Sequence, residues 1–396
     1  MTEKRVPRPS QPPASVAPPT PPRPPSMAPP SDDEKWMDLA LVHARSGRPS
    51  PNPHVGAVVV KDGELLATGH HERAGTDHAE VLALRGAGER AKGATLYVTL
   101  EPCNHHGRTP PCTEAIVASQ VVRVVVGCRD PNPHVEGNGI EKLREAGIEV
   151  TLGVREPQCR QSIAPWAKHI TTGLPYVSLK LALSLDGRIA TRSGASKWVT
   201  GPDARAKVHL LRSRHDAIAI GIGTALADDP RLTVRDAPGT SPMRVVFDTK
   251  LRLQTGSRLA QTAREVPTLV LCGTDADPEP EEELTALGVE VVRTPIATEG
   301  RLDAVLALRY LAQRGVVSLM VEGGAELAGS FLAARLADEL HAFIAPILLG
   351  PRGRPGAVDW AGPDTPQQAP RIAAPQWELV GEDAYVHGSV VYPEPQ

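Results

Sequence analysis

The chain has 396 residues, 41% of them apolar and 3% aromatic, with 43 basic against 46 acidic side chains and a formal charge of −3. That length suits two globular domains with full cores. The acidic balance and scarce aromatics speak against a nucleic-acid partner, which asks for a basic field and stacking platforms, and no stretch approaches the ~20 apolar residues of a membrane helix.

Residues 1–30 hold twelve prolines and almost no large apolar side chain. They cannot offset their ordering entropy, so a disordered, partly polyproline-II tail is predicted. The tail has no apolar run of signal-peptide length, and Met27 is an alternative start. Ser31-Asp32-Asp33-Glu34 reads as a capping box opening a helix through about Ser46. Strands follow at 54–60 (HVGAVVV) and 64–70 across the turn Lys61-Asp62-Gly63, then a helix at 78–84 with Asp77 as its cap. A strand at 94–101, a helix at 111–118, the apolar strand 121–127, a helix at 140–146 and a strand at 148–152 complete the first cycle. Such alternation predicts a sheet covered by helices on both sides.

A second cycle opens with strand 176–184. Its predicted helices are 203–214, 302–313 and 325–335, and its strands 216–221, 243–248, 267–272, 289–293, 318–322 and 339–344. The boundary falls in 155–175, as a connecting helix through Trp166 and His169. We therefore expect a tail (1–30), a first domain (31–170) and a second α/β domain (176–396). The five cysteines do not make a disulfide framework and fit a reducing, cytoplasmic setting.

His78-Ala79-Glu80 places an imidazole and a carboxylate two apart at a helix start. Cys103 follows a strand, and Cys112 opens the next helix. One nitrogen and two thiolates are three of zinc's four ligands, leaving a position for water as in catalytic sites. Zinc lowers that water's pKa toward about 7, and Glu80 is assigned as the proton shuttle. The His-x-Glu…Pro-Cys…Cys order is that of the zinc nucleobase deaminases. Against it, a lone His-x-Glu is common, Cys103 and Cys112 are separated by eight residues rather than two, and isolated cysteines often serve as small buried apolar groups. The loop between the cysteines (NHHGRTPP) is rich in donors and suits a phosphate or sugar beside the metal; a solvated surface loop is the alternative.

In the second half the G-x-G-x-x-G pattern is missing. Gly323-Gly324 stands between a strand and a helix, where backbone amides cradle a phosphate or simply make a tight turn.

Residues 103–112 (CNHHGRTPPC), with 51–56 (PNPHVG) and 130–135 (DPNPHV), resemble the bifunctional riboflavin-biosynthesis deaminase/reductases. The second half agrees through 180–190 (KLALSLDGRIA), 226–233 (LADDPRLT) and 321–324 (VEGG). The likeness spans residues 32–392 and departs at 158–166, where the family usually carries an Asn and, three residues on, a Phe. It implies a cytidine-deaminase-like α/β/α domain followed by a dihydrofolate-reductase-like α/β domain. The first would hydrolyse the pyrimidine amino group of a diaminopyrimidinone phosphoribosylamine, and the second would reduce the ribosylamino group to ribitylamino with NADPH. The family's zinc ligands fall on His78, Cys103 and Cys112, its proton donor on Glu80, and its deaminase pocket on Asn52, His105 and Arg108. The resemblance puts the dinucleotide on Ala182, Trp198, Thr224, Asp228 and the run Gly324, Ala325, Glu326, Leu327, Ala328, Gly329 and Ser330. The substrate falls on Ser196, Arg212, Leu232, Arg235 and Glu322.

Arg212 and Arg235 suit a ribose phosphate, although most arginines are solvated charges. Bulk alone would make Trp198 a core residue. Asp228 or Lys180 is the expected proton donor of the reduction. The expected partner is a small phosphoribosyl pyrimidine, with no nucleic acid or membrane, and the assembly a homo-oligomer. Two competing readings are a zinc deaminase for another base, with the second domain a scaffold, and a non-enzymatic zinc-stabilised module. A structural site would need a fourth protein ligand and no neighbouring acid.

Overall fold

The structure is a computed structural model that describes residues 30–106, 110–133, 138–235, 237–297, 300–350 and 356–394. All but the last residue of the predicted tail therefore lies outside the described residues. The first half runs α1 (Asp32–Ala44), β1 (Gly56–Lys61), β2 (Glu64–His70), α2 (Ala79–Ala87), β3 (Thr95–Leu100), α3 (Cys112–Ala118), β4 (Arg123–Cys128), α4 (Gly139–Glu145) and β5 (Glu149–Leu152). The capping box at Ser31 and Glu34 forms in full. The described residues make a five-stranded sheet in the order β2-β1-β3-β4-β5, antiparallel at β1 and parallel from β3 to β5. Val58, Val98, Val125 and Val126 are fully buried, because helices cover both faces of the central strands.

Two helices, α5 (Glu156–Ser162) and α6 (Ala164–Thr172), occupy the expected junction. Trp166 on α6 packs against the first core, while Lys168 pairs with Asp338 of the second half at 2.5 Å. The second half continues β6 (Tyr176–Ser184), α7 (Pro202–Ser213), β7 (Ala217–Gly221), α8 (Ile222–Asp228), β8 (Met243–Phe247), α9 (Arg258–Gln261), β9 (Thr268–Gly273), α10 (Glu279–Ala286), β10 (Glu290–Thr294), α11 (Ala304–Gln313), β11 (Ser318–Glu322), α12 (Ala325–Ala333), β12 (Glu339–Ala345), β13 (Arg371–Val380) and β14 (Asp383–Val391). Its sheet has the order β10-β9-β8-β7-β11-β6-β12-β14-β13, parallel as far as β12 and antiparallel at the last two strands. Among the described residues no helix is long and apolar enough to cross a membrane.

Two features differ from the sequence reading. Asp77 does not cap α2: His78 occupies the N-cap position without a side-chain cap bond, and the Asp77 carboxylate pairs with Arg85. Turning the imidazole inward carries the helix start one residue along. The hairpin β13–β14 was not foreseen, because β13 is a largely exposed edge strand without an apolar run.

Gly69 fixes where α2 sits. A Cβ there would lie 2.2 Å from the Ala79 carbonyl oxygen and 2.7 Å from the Ala83 nitrogen, so only glycine lets the helix backbone approach β2 this closely. Gly69→Ala should destabilise the protein by about 2–3 kcal/mol, as overpacked contacts do. Urea unfolding of parent and variant measures this, and an unchanged midpoint would show that α2 can move away freely.

Candidate active sites

Three segments meet beyond the carboxyl end of β3. His78 leads into α2, Cys103 follows Glu101-Pro102, and Cys112 is the first residue of α3. The His78 Nδ1 lies 3.0 Å from the Cys112 sulfur and 3.5 Å from that of Cys103, and the three donor atoms all fall within 4.8 Å of one another. In a tetrahedral zinc site with bonds of about 2.0–2.3 Å, ligand atoms stand about 3.5–3.8 Å apart. The set therefore needs only a slight opening to hold the ion. No fourth protein donor joins it among the described residues.

The electrostatics suit a metal. The hydrogen bond from the Cys112 thiol, helped by His78 and the Cys112 backbone N–H, pulls the Cys103 thiol far below the ordinary thiol range despite burial. The same contact, burial and Glu80 push Cys112 up. Without an ion the pair shares one proton; a divalent cation would displace it. Glu80, 3% exposed in the first turn of α2, contacts the Cys112 thiol, and burial raises its carboxyl above the usual range.

Neighbouring contacts hold the site. Thr113 Oγ1 donates to Asn104 Oδ1 at 2.8 Å and Thr113 N to the Cys103 carbonyl at 3.3 Å, which fastens the loop at both ends. The Asn52 amide donates to His71 Nε2 at 3.0 Å. The opposite ring nitrogen, Nδ1, donates to the Asp77 carbonyl at 3.2 Å, and this ring meets His78 edge-on at 5.1 Å. Burial keeps His71 neutral, which fits this tautomer. Sequence reading missed His71, because its role depends on a contact across 19 residues with Asn52. His105 is exposed, and Arg108 lies outside the described residues.

The second half holds a cavity of about 1200 Å³ at the carboxyl ends of β7, β8 and β11, alongside β6. Such sites are the usual ligand crevices of open parallel sheets, and this one exceeds the volume that a single small molecule needs. Ala182, Ser196, Trp198, Arg212, Thr224, Asp228, Leu232, Arg235 and Glu322 line it, as do Gly324, Ala325, Glu326, Leu327 and Ser330. Ala328 and Gly329 do not, and a Cβ on Gly329 would meet the Asp359 carbonyl at 2.0 Å. Gly323 and Gly324 both have φ near +90°, which makes the turn from β11 into α12 a glycine requirement. Trp198 is no core residue. It is 69% exposed at the cavity mouth with the Arg205 guanidinium 4.7 Å from its ring.

Deep in the cavity, Arg212 forks onto Glu322 with bonds of 2.8 and 2.7 Å and donates to the Thr233 carbonyl at 3.0 Å. These bonds use three of the five guanidinium N–H groups, so Arg212 holds the cavity wall while still facing the cavity. Lys180 lies 3.5 Å from Glu322. Although burial raises Glu322, the Arg212 and Lys180 charges outweigh it and hold the carboxyl well below its usual range. Burial draws Lys180 down. The Asp228 carboxylate accepts from Ser196 at 2.7 Å. Arg205 and Arg301, unmarked by any motif, add cationic groups to the wall.

The comparisons fall on these two sites. Residues 30–128 match the cytidine and deoxycytidylate deaminase zinc-binding region, and residues 175–387 match the RibD C-terminal domain. The riboflavin biosynthesis protein RibD of Aquifex aeolicus is 46% identical over 321 residues, covering 80% of this chain and 88% of that protein. The Escherichia coli protein of the same name is 43% identical over 372 residues, covering 90% and 98%. The chain belongs to the RibD family.

Solved structures agree. The Thermotoga maritima diaminohydroxyphosphoribosylaminopyrimidine deaminase/5-amino-6-(5-phosphoribosylamino)uracil reductase superposes with a TM-score of 0.78 at 36% identity, covering 91% of this chain and 99% of that one. Acinetobacter baumannii RibD gives 0.78 at 38%, covering 92% and 99%. This RibD chain is accordingly a bifunctional deaminase and reductase of riboflavin biosynthesis, with a cytidine-deaminase-like, zinc-binding first half and a reductase second half.

The thiol chemistry yields a direct test. In metal-free protein Cys103 should be the first of the five cysteines alkylated by iodoacetamide, and still reactive near pH 6, since the thiolate is the nucleophile. Zinc should protect it. Peptide mass mapping reads the order, and preferential labelling of Cys128 or Cys272 would contradict the assignment.

Proposed function

We propose that residues 31–170 hydrolyse the pyrimidine amino group of 2,5-diamino-6-(5-phosphoribosylamino)pyrimidin-4-one, and that residues 176–396 then reduce the ribosyl group to ribityl with NADPH. The observation that carries this reading is the convergence of His78, Cys103 and Cys112 beside the buried acid Glu80. Two separate sheets, each with its own core, support the division of the chain.

His78 Nδ1 and the two sulfurs are the groups that would hold zinc, which when bound supplies a water of lowered pKa at its fourth position. Glu80 takes one proton from the attacking water to the ring nitrogen, and then carries the second, from the hydroxyl so formed, to the departing amine. A C–O bond forms, the C–N bond breaks and ammonia leaves. Its burial favours this traffic, because a carboxyl whose pKa is raised takes up a proton more readily than a free one. Asn52, steadied on His71, and His105 stand as substrate contacts.

In the second half NADPH supplies hydride to C1′ of the ring-opened ribosylamine, whose C1′–O4′ bond has broken. The chain's own task is to position the reactants and supply a proton. Lys180 is the better proton source, because it is buried in the cavity beside Glu322 while Asp228 is engaged by Ser196. Arg212 locks Glu322 as a carboxylate and so acts through it, and Arg235 and Arg205 on the same cavity wall add positive charge for a phosphate. Trp198, Thr224 and the α12 turn suit the dinucleotide.

Five free cysteines fit a reducing cytoplasm. A homo-oligomer is supported by the edge strand β13, which exposes Trp377 and Leu379.

Mass spectrometry of products from the full chain separates the two activities. Glu80→Gln should keep the zinc held by His78, Cys103 and Cys112 yet lose about 10²–10⁴-fold in deamination, while still reducing the deaminated intermediate. Retained deamination would remove Glu80 from its role. Lys180→Met should accumulate the deaminated but unreduced intermediate, with reduction down by about 10²-fold or more. Normal reduction by that variant would transfer the proton step to another group.

A further inference from the structure

On β12, where His341 pairs in register with Lys180 of β6, one face of the second sheet gathers another set of metal-type donors. Glu339 and His341 stand two apart on β12 and so share a face. His387 on β14 pairs directly opposite His341. One ligand atom from each of the three lies within 4.8 Å of the other two. His341 Nε2 is 3.2 Å from the Glu339 carboxylate, and its Nδ1 is 2.7 Å from the Tyr385 hydroxyl. The His387 ring stacks on Tyr385 at 5.1 Å, and its buried Nδ1 has no hydrogen-bond partner among the described residues.

We propose that Glu339, His341 and His387 form a second divalent transition-metal site, distinct from the cysteine-containing one. Two imidazoles and a carboxylate are a donor set that zinc accepts. A buried, unpaired ring nitrogen is costly, and a metal ion would satisfy it. The surrounding hydrogen bonds also lack a cation. His215 donates through Nδ1 to the Leu211 carbonyl at 2.8 Å, so its neutral ring accepts at Nε2. The single Ser178 hydroxyl hydrogen then faces two acceptors, His215 Nε2 at 3.0 Å and Glu339 at 3.1 Å. An ion on Glu339 frees that hydrogen for His215. Tyr385 would take the outer-shell role that fixes a ligating histidine, accepting the Nδ1–H of His341.

Glu339 and His387 are only half-buried, which leaves a path from solvent. The site would tie the β14–β13 hairpin to β12. It carries no assigned step of either reaction.

Full-length protein stripped with chelator, reloaded with excess zinc and desalted should hold two zinc ions per chain. The double variant Cys103→Ser/Cys112→Ser should keep one. Adding His387→Ala or Glu339→Gln to it should remove that one, with unchanged circular dichroism. Titration calorimetry of zinc into the Cys103→Ser/Cys112→Ser variant should saturate at one equivalent, at least tenfold weaker after Glu339→Gln. Cobalt in the same variant should absorb in the visible without a sulfur charge-transfer band. One zinc per loaded parent chain overturns the proposal, as does a second equivalent that survives both replacements.

Discussion

One constraint places most of the chemistry: its charged groups gather where parallel strands stop and helices begin. The strand interiors are mostly apolar, as at the fully buried Val98, Val126, Ile218 and Val246, because helices cover both sheet faces; ionisable exceptions such as Arg244 on β8 and Lys180 on β6 are held by hydrogen bonds or an ion pair. At the strand ends the chain leaves the sheet, and polar side chains can converge. Cys103 lies just past β3, Cys112 and His78 open helices, and Glu322 ends β11. Both chemistries follow this placement, with Lys180 reaching the second site from within β6, although the first site uses sulfur and imidazole and the second uses guanidinium, ammonium and carboxylate.

The constraint has a cost, which the two sites meet differently. In the first, the uncompensated sulfur charge is shared through one proton between Cys103 and Cys112, an arrangement that a divalent cation resolves. In the second, the buried Glu322 is covered by a bidentate Arg212 and by Lys180. Removing one partner would strand a charge in the interior, a change that typically costs 3–5 kcal/mol. Arg212 therefore belongs to the scaffold of the cavity as much as to its chemistry.

Much of this was legible in the sequence, and the exceptions have physical causes. Apolar runs such as residues 121–127 gave the central strands, and His78, Glu80, Cys103 and Cys112 could be read from their order. The Asp77 cap failed because an aspartate before a helix competes with the pull of a metal-type cluster on the next residue. Trp198 read as core by bulk but is exposed, since a cavity mouth is a surface that composition does not reveal. Within the run 324–330, Ala328 and Gly329 fall outside the cavity lining, Gly329 lying against the backbone of Asp359. The Arg212–Glu322 fork joins residues 110 positions apart, and the His71–Asn52 bond likewise depends on the folded chain.

Net charge says nothing of the field inside the second cavity. The chain is slightly acidic as a whole, yet basic side chains outnumber acidic ones along the second cavity. A phosphorylated ligand responds to the field in that cleft, where low-dielectric walls focus it, rather than to the sum over the surface. A basic pocket inside an acidic protein also favours small anions over long polyanions, because a duplex would meet the acidic exterior before any phosphate reached Arg205, Arg235 or Arg301. Selectivity for a small phosphoribosyl ligand thus follows from where the charges lie, which the fold decides and composition does not.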